Sequence, residues 1–295
     1  MNASFSRKVF VCCNTVFLAA VTMICILPMI HLLAISLSSS SFAEAGAVTF
    51  WPRGFTLQAY SFLAGKSEFF TALIITLKRV ALGVTLNVML CVITAFPLSR
   101  EKEQFHFRTV YVWFLAVTMF FGGGLVPTYL VVSKLGLINS LWALVLPGAV
   151  PVWYVVMMVN FFRGIPKALE EAARLDGASS MTTLVRVFLP LSLPSLATIL
   201  LFTAVNHWNS WFDGFIYMNS LTSYPLSSYL YSLVAQANFM STASLSPADM
   251  QRLSSVGQKT LRMAQILLGA LPIMCVYPFV QRYFIKGIVV GSVKE

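Results

Sequence analysis

Charge is scarce in this sequence: 10% of its 295 residues are Asp, Glu, Lys or Arg, against roughly 25% in soluble domains. Only ten residues are acidic. Glu44, Glu68 and Asp249 fall between apolar runs on one side, Glu101, Glu103, Glu170, Glu171, Asp176 and Glu295 fall on the other, and Asp213 stands at the end of a run. None lies mid-run, whereas a carrier driven by protons or sodium usually needs an intramembrane carboxylate to take up and release its ion. Ion coupling is therefore disfavoured. His31, His106 and His207 are far apart, and neither an H-E-x-x-H pair nor a G-x-S-x-G turn occurs, so no intramembrane enzyme is evident. No internal repeat is evident either, which counts against an inverted-repeat carrier. Gly65-Lys66-Ser67 invites a phosphate-loop reading, but the glycine that motif requires five residues earlier is missing. Any ATP has to be handled by another polypeptide. The five cysteines, Cys12, Cys13, Cys25, Cys91 and Cys275, all sit in apolar runs, where they behave as small apolar residues rather than as a disulfide framework or metal site.

Apolar residues, by contrast, make up 58% of the chain, which is the composition of a polytopic membrane protein. The expected fold is all-α, with six spans at about Val9–Leu37, Val80–Leu98, Thr109–Val132, Leu141–Phe162, Val187–Trp211 and Met263–Phe284, each near or above the roughly 20 residues a bilayer needs. The chain reads as one transmembrane domain over 1–295, with core spans at about 80–286. Arg7-Lys8 and the following run resemble a signal peptide, but the run is far longer than a signal's about 7–15 residues, so retention as the first span is expected.

The net charge of +10 is explained by placement rather than by a nucleic acid partner. With the N-terminus inside, 12 of the 20 Lys and Arg lie on the cytoplasmic side, and several of the other eight are in long loops that the positive-inside rule does not count. Both termini are then cytoplasmic. Lys78 and Arg79 begin the second span at its outer end, where long basic side chains can snorkel to water. Trp51 and Tyr60, in the outer segment after the first span, read as interfacial anchors.

One polar stretch interrupts the apolar runs, Ile165 to Pro190. Pro166 suits a helix start, Lys167 to Asp176 can continue it, and Gly177 supplies a left-handed closing residue. About ten helical residues span roughly 15 Å, too short to cross a bilayer. Ala168, Leu169, Ala172 and Leu175 fall on one face, Glu170 and Arg174 are four apart in the favourable order, and Glu171 has no mate in the helix. Ser179 or Ser180 can cap a second short helix running through Arg186 to Leu189-Pro190. A shallow apolar stripe with an unpaired acid suits docking into a partner's groove.

Glu171-Ala172-Ala173, three residues, Gly177, nine residues, then Val187-Phe188-Leu189-Pro190 resembles the EAA loop of type I ABC importer permeases. Asp176-Gly177-Ala178 resembles the carbohydrate-uptake branch. Val187 replaces the usual Ile, a chemically neutral departure. The run Phe121 to Val131 with Leu135 to Ala143 is similar to permeases for polysaccharides and complex oligosaccharides. The resemblance implies a permease subunit, without catalytic residues of its own, in the bacterial cytoplasmic membrane. It implies a second homologous permease, two cytoplasmic ATPases that hold ATP and Mg, and an extracytoplasmic substrate-binding protein. It implies that Glu170 to Arg174 and Asp176 to Ala178 couple to the ATPase, with the acid at Glu171 pairing to a basic group there.

For the cargo path two stretches stand out. Gly122, Gly123 and Gly124, followed by Pro127, break the third span near its outer end. In lipid, loosened backbone is tolerated where protein buries it or water reaches it, so the break faces the path or a packed neighbour. Asn206, His207, Trp208, Asn209, Trp211 and Asp213 end the fifth span. Sugars are bound by aromatic faces with planar amides and carboxylates; the competing reading is an interfacial aromatic belt with polar residues packed between helices. Outer segments carry eight bases against four acids, which permits a uronic-acid oligosaccharide such as one from alginate and leaves neutral glycans open. The outer loop 214–262 is the expected contact for the binding protein, with a short amphipathic helix near 224–234. An ion-coupled sugar carrier remains the alternative, and an uncoupled channel a third.

Overall fold

A computed structural model describes residues 5–65, 67–239 and 257–292. Lys66, Arg252, Asp249 and residues 240–256 of the expected outer loop lie outside the described residues, as do Val293 to Glu295 of the C-terminal tail. The described residues form helices and turns, with no strand among them. The chain divides into two compact units, Met1–Phe69 with Leu230–Leu271, and Phe70–Tyr229 with Pro272–Glu295.

The first unit is built on the helix Phe5–Ser36. Its portion Arg7–Ser36 is long and apolar enough to cross a membrane and buries none of its most apolar window, as lipid-facing residues would. At its end Ala34 and Ile35 pack with Ala43 and Val48, while Ala59 and Leu63 of the short helix Gln58–Ala64 pack with Leu261 and Ala264. Glu44 accepts the Lys259 N–H at 3.0 Å in the first turn of the helix Gln258–Ser292, placing an anion where the helix dipole favours one. Trp51 is fully open to the surroundings at 82% exposure. Tyr60 is half-buried, and its hydroxyl pairs with that of Ser36 at 2.8 Å.

The second unit holds the helix Ser67–Ser99 from Phe70 onward. Cys91, Val92, Ala95 and Phe96 of that helix pack with Val155, Met158, Phe162, Leu184, Phe188 and Ile199. Phe96, Phe162 and Phe188 meet edge to face, with centroids 5.3–6.3 Å apart. Aromatic edges are the electropositive part of the ring, so this trio gains electrostatically as well as by packing.

Among the described residues, two helices are individually long and apolar enough to span, Arg7–Ser36 and Ser67–Ser99. Three further pairs qualify when each is taken as one broken span: Arg108–Phe120 with Leu125–Lys134, bent by 114°; Leu141–Gly148 with Val152–Arg163, bent by 50°; and Ser180–Leu191 with Leu193–Asn209, bent by 82°. They coincide with the third, fourth and fifth expected spans. The sixth lies within Gln258–Ser292, which carries no charged residue from Ala264 to Gln281. The break at Gly122 to Gly124 is where the sequence placed it. The bend at Ser192 was not expected, although Pro190 and Pro194 flank it and each removes a backbone donor.

The second span corrects the sequence reading. The helix begins at Ser67 rather than Val80, so Lys78 and Arg79 lie inside it. Arg79 does not snorkel to water; it is 2% exposed.

Candidate functional site

The polar stretch folds as two short helices with a closed turn. Lys167–Leu175 follows Pro166, and Gly177 takes φ +75°, the left-handed region open to glycine. The Ala178 N–H donates to the Ala173 carbonyl at 2.9 Å and the Gly177 N–H to the Arg174 carbonyl at 3.0 Å. Those two bonds define a Schellman closure, satisfying carbonyls that the helix end would otherwise orphan. Ser179, rather than Ser180, caps the next helix, its hydroxyl accepting the Thr182 N–H at 3.2 Å. The chain then passes through a widened turn at Leu184–Phe188 into Leu189–Leu191.

Ion pairs pin this hairpin to the end of the helix Ser67–Ser99. Glu170 is largely enclosed, at 13% side-chain exposure, and pairs with Arg100. Arg174 approaches it at 2.7 Å, an ion pair without the alignment of a hydrogen bond. The Arg100 guanidinium lies over the rings of Phe96 and Phe188, 4.1 and 4.6 Å from their centroids, so a cation–π contact joins the network to the apolar core. Burial pulls Arg100 below its ordinary pKa and Glu170 works against that. Lys167 pairs with Glu101, both exposed; Lys167 holds the Glu101 carboxyl below the usual range, and Glu101 raises Lys167. This tether contributes fully above the ordinary carboxylate range and is lost as pH falls through the lowered Glu101 value.

The hairpin's other surface is unfilled. Ala168, Leu169, Ala172 and Leu175 are exposed, Leu175 at 89%, and Glu171 is exposed with no ion pair among the described residues. Of the predicted coupling residues, Glu170 is thus largely enclosed and Ala173 and Ala178 are half-buried, while Glu171, Ala172, Arg174, Asp176 and Gly177 are exposed. Arg100 was missed by the sequence reading, because nothing local marks a partner 70 positions from Glu170.

The second predicted cluster is divided by the fold. His207 and Trp208 are each 7% exposed. Asn87 donates to the Gly148 and Ala149 carbonyls at 2.7 and 2.9 Å, which turns its amide oxygen to His207 Nε2 at 2.7 Å. His207 therefore donates from Nε2. A Cβ at Gly83 would stand 2.4 Å from that nitrogen, so glycine is what lets the ring in. Asp213 pairs with Arg79, whose guanidinium also donates to the Ser210 carbonyl at 3.1 Å and the Leu144 carbonyl at 3.3 Å. His207 and Asp213 thus each bridge to a residue of the helix Ser67–Ser99, and Trp208 is buried. Asn206, Asn209 and Trp211 are exposed, with Trp211 edge-on to Phe212 and Phe215. A mid-run asparagine such as Asn87 was the available signal for this network.

Gly122, Gly123 and Gly124 are exposed, and Gly124 has φ +79°. The helix they release, Leu125–Lys134, lies beside Phe212–Tyr217: Tyr129 stacks on Tyr217 at 6.3 Å. Leu125, Val126 and Tyr129 line an apolar cavity of about 430 Å³ with Phe212, Phe215 and Ile216. The glycines do not line it.

Residues 88–290 match the family described as "Binding-protein-dependent transport system inner membrane component". The polygalacturonan/rhamnogalacturonan transport system permease protein YtcP of Bacillus subtilis (strain 168) is 34% identical over 281 residues, covering 94% of this chain and 96% of that one. Protein LplC of the same organism is 33% identical, covering 100% and 98%. Among solved structures, a bacterial ABC transporter involved in the import of the acidic polysaccharide alginate contains a chain that superposes with TM-score 0.84 at 28% identity, over 96% of this chain and 99% of that one.

Proposed function

The chain belongs to the binding-protein-dependent transport system inner membrane component family, and from that premise we propose how its residues divide the work of import. It is the permease subunit of an ABC importer for a sugar polymer or its oligosaccharides. The 166–190 hairpin is the element gripped by a cytoplasmic ATPase. Ala168, Leu169, Ala172 and Leu175 seat in the ATPase cleft, Glu171 meets a basic group there, and Glu170 passes the motion through Arg100 to the long helix and the aromatic trio. Closure of the ATPases, which hold ATP and Mg, tilts the spans between inward- and outward-facing states. The observation that carries this reading is a hairpin capped at its turn and pinned on one side, with its apolar stripe left uncovered.

The remaining partners follow from the same reading: a second homologous permease, two ATPase copies and a binding protein received by the outer loop, with both termini of this chain cytoplasmic. The cargo is an acidic, uronic-acid-containing oligosaccharide. Support comes from YtcP, named for polygalacturonan and rhamnogalacturonan, and from the alginate transporter. Asn206, Asn209 and Trp211, exposed at the end of the fifth span, meet it.

Asn209→Ala and Trp211→Ala are expected to lower uptake of oligogalacturonate about tenfold, the loss of one good polar or stacking contact, with ATPase co-purification unchanged. Uptake by proteoliposomes carrying the whole complex checks this. Kinetics and selectivity equal to wild type in both variants remove these residues from the cargo path.

A further inference from the structure

The hairpin also borders a cavity, two of whose arginines the coupling does not use. The cavity, of about 520 Å³, lies beneath the hairpin, lined by five cations and three carboxylates. Three of the cations already have acid partners: Arg100 and Arg174 share Glu170, and Lys167 pairs with Glu101. Arg108 and Arg163 are left. Arg108 Nε donates to the Leu98 carbonyl at 3.0 Å, and Arg163 Nη2 donates to the same oxygen at 3.4 Å.

Two guanidiniums therefore converge on one carbonyl at the end of the helix Ser67–Ser99, with no carboxylate within 4.0 Å of either among the described residues. Each has five N–H donors and spends one there. Like charges held together in this way repel unless an anion joins them, and a planar fork of donors matches phosphate oxygens in pairs. Five cations against the three carboxylates Glu101, Glu170 and Glu171 leave the cavity two positive charges in surplus, which an anionic phosphoryl group offsets. Both arginines also stand at the ends of apolar helices, Arg108 opening Arg108–Phe120 and Arg163 closing Val152–Arg163. That is the depth at which phospholipid headgroups lie.

We propose that Arg108 and Arg163 form a binding site for an anionic phosphoryl group beneath the coupling hairpin. A phosphodiester headgroup of an anionic lipid and a soluble phosphate share this chemistry, and the experiment separates them. Bound there, the anion ties the end of the long helix to both helices that carry the arginines and to the base of the hairpin.

The test uses the purified transporter complex and native mass spectrometry, with phosphatidylglycerol and phosphatidylcholine as probes. Wild type is expected to retain phosphatidylglycerol in preference to phosphatidylcholine, and R108Q/R163Q to retain about tenfold less of it, the loss of charge-assisted hydrogen bonds. Lys102→Gln, which removes an exposed cation outside the cavity, is expected to change nothing. Displacement of the lipid by millimolar inorganic phosphate identifies a soluble anion as a competent occupant; retention in its presence identifies the lipid. Equal phosphatidylglycerol retention in wild type and R108Q/R163Q overturns the proposal. Should the double variant fail to assemble, the wild type decides: a melting temperature raised by short-chain phosphatidylglycerol but not by short-chain phosphatidylcholine, or raised by phosphate, supports the site, and no shift from either anion overturns it.

Discussion

Glu171→Arg is expected to reduce ATP-dependent uptake to about a hundredth of wild type or less, while the chain still folds and inserts. The folded state has little to lose, because Glu171 is exposed and makes no ion pair among the described residues. Arg and Glu also have similar helix propensities, so the penalty is confined to a cation in the first turns of a short helix, about 0.3–1 kcal/mol. At an ATPase surface that offers a basic group, the reversal turns an attraction into a like-charge contact costing several kcal/mol. Glu171→Gln, which removes the attraction without adding repulsion, is expected to fall between. Uptake in proteoliposomes, read beside ATPase co-purification, checks both variants. Normal uptake by Glu171→Arg would contradict the proposed pairing.

The second large effect concerns the buried pair in the membrane region. Asp213→Ala leaves the Arg79 guanidinium enclosed with two carbonyl acceptors and no counter-charge, and its Nε already lacks a partner. Removing one member of such a pair typically costs about 3–5 kcal/mol, so a lower yield of folded complex and a depressed melting temperature are expected. Removing both members should cost far less, since a well-packed apolar pair can replace a buried ion pair at little penalty. Arg79→Met with Asp213→Ala is thus expected to recover much of what Asp213→Ala loses. Thermal unfolding of the two single variants and the double variant measures the coupling directly. Additive losses would mean that Arg79 and Asp213 do not depend on one another.

What could be read from the sequence was what is local along the chain. Gly177 announced the turn of the hairpin, Ser179 or Ser180 the cap that follows it, Glu170 and Arg174 their pair by spacing, and three glycines the broken third span; each is found, with Ser179 as the cap. The amphipathic stretch near 224–234 is likewise helical, as part of Leu226–Phe239. What could not be read was whatever long-range pairing decides. Lys78-Arg79 interrupts the hydropathy, so the second span was started after it, yet Asp213 supplies a counter-charge 134 residues away that permits the cation to stay inside. Arg100 was likewise ordinary in its loop until Phe96, Phe188 and Glu170 came together around it. The same limit explains the cluster at the end of the fifth span. Its residue types suit sugar contact, but only packing reveals that His207, Trp208 and Asp213 are engaged and that Asn206, Asn209 and Trp211 remain exposed.

The central claim is that the uncovered face of the hairpin is held by an ATPase in the cytoplasm. Leu175, 89% exposed, is the place to test it. With the five native cysteines replaced, Leu175→Cys in the assembled complex should cross-link to the ATPase subunit through a short bifunctional reagent, with an efficiency that changes when ATP is added. Labelling of the same cysteine by a membrane-impermeant maleimide from outside intact cells, with no cross-link to any ATPase, would contradict the account.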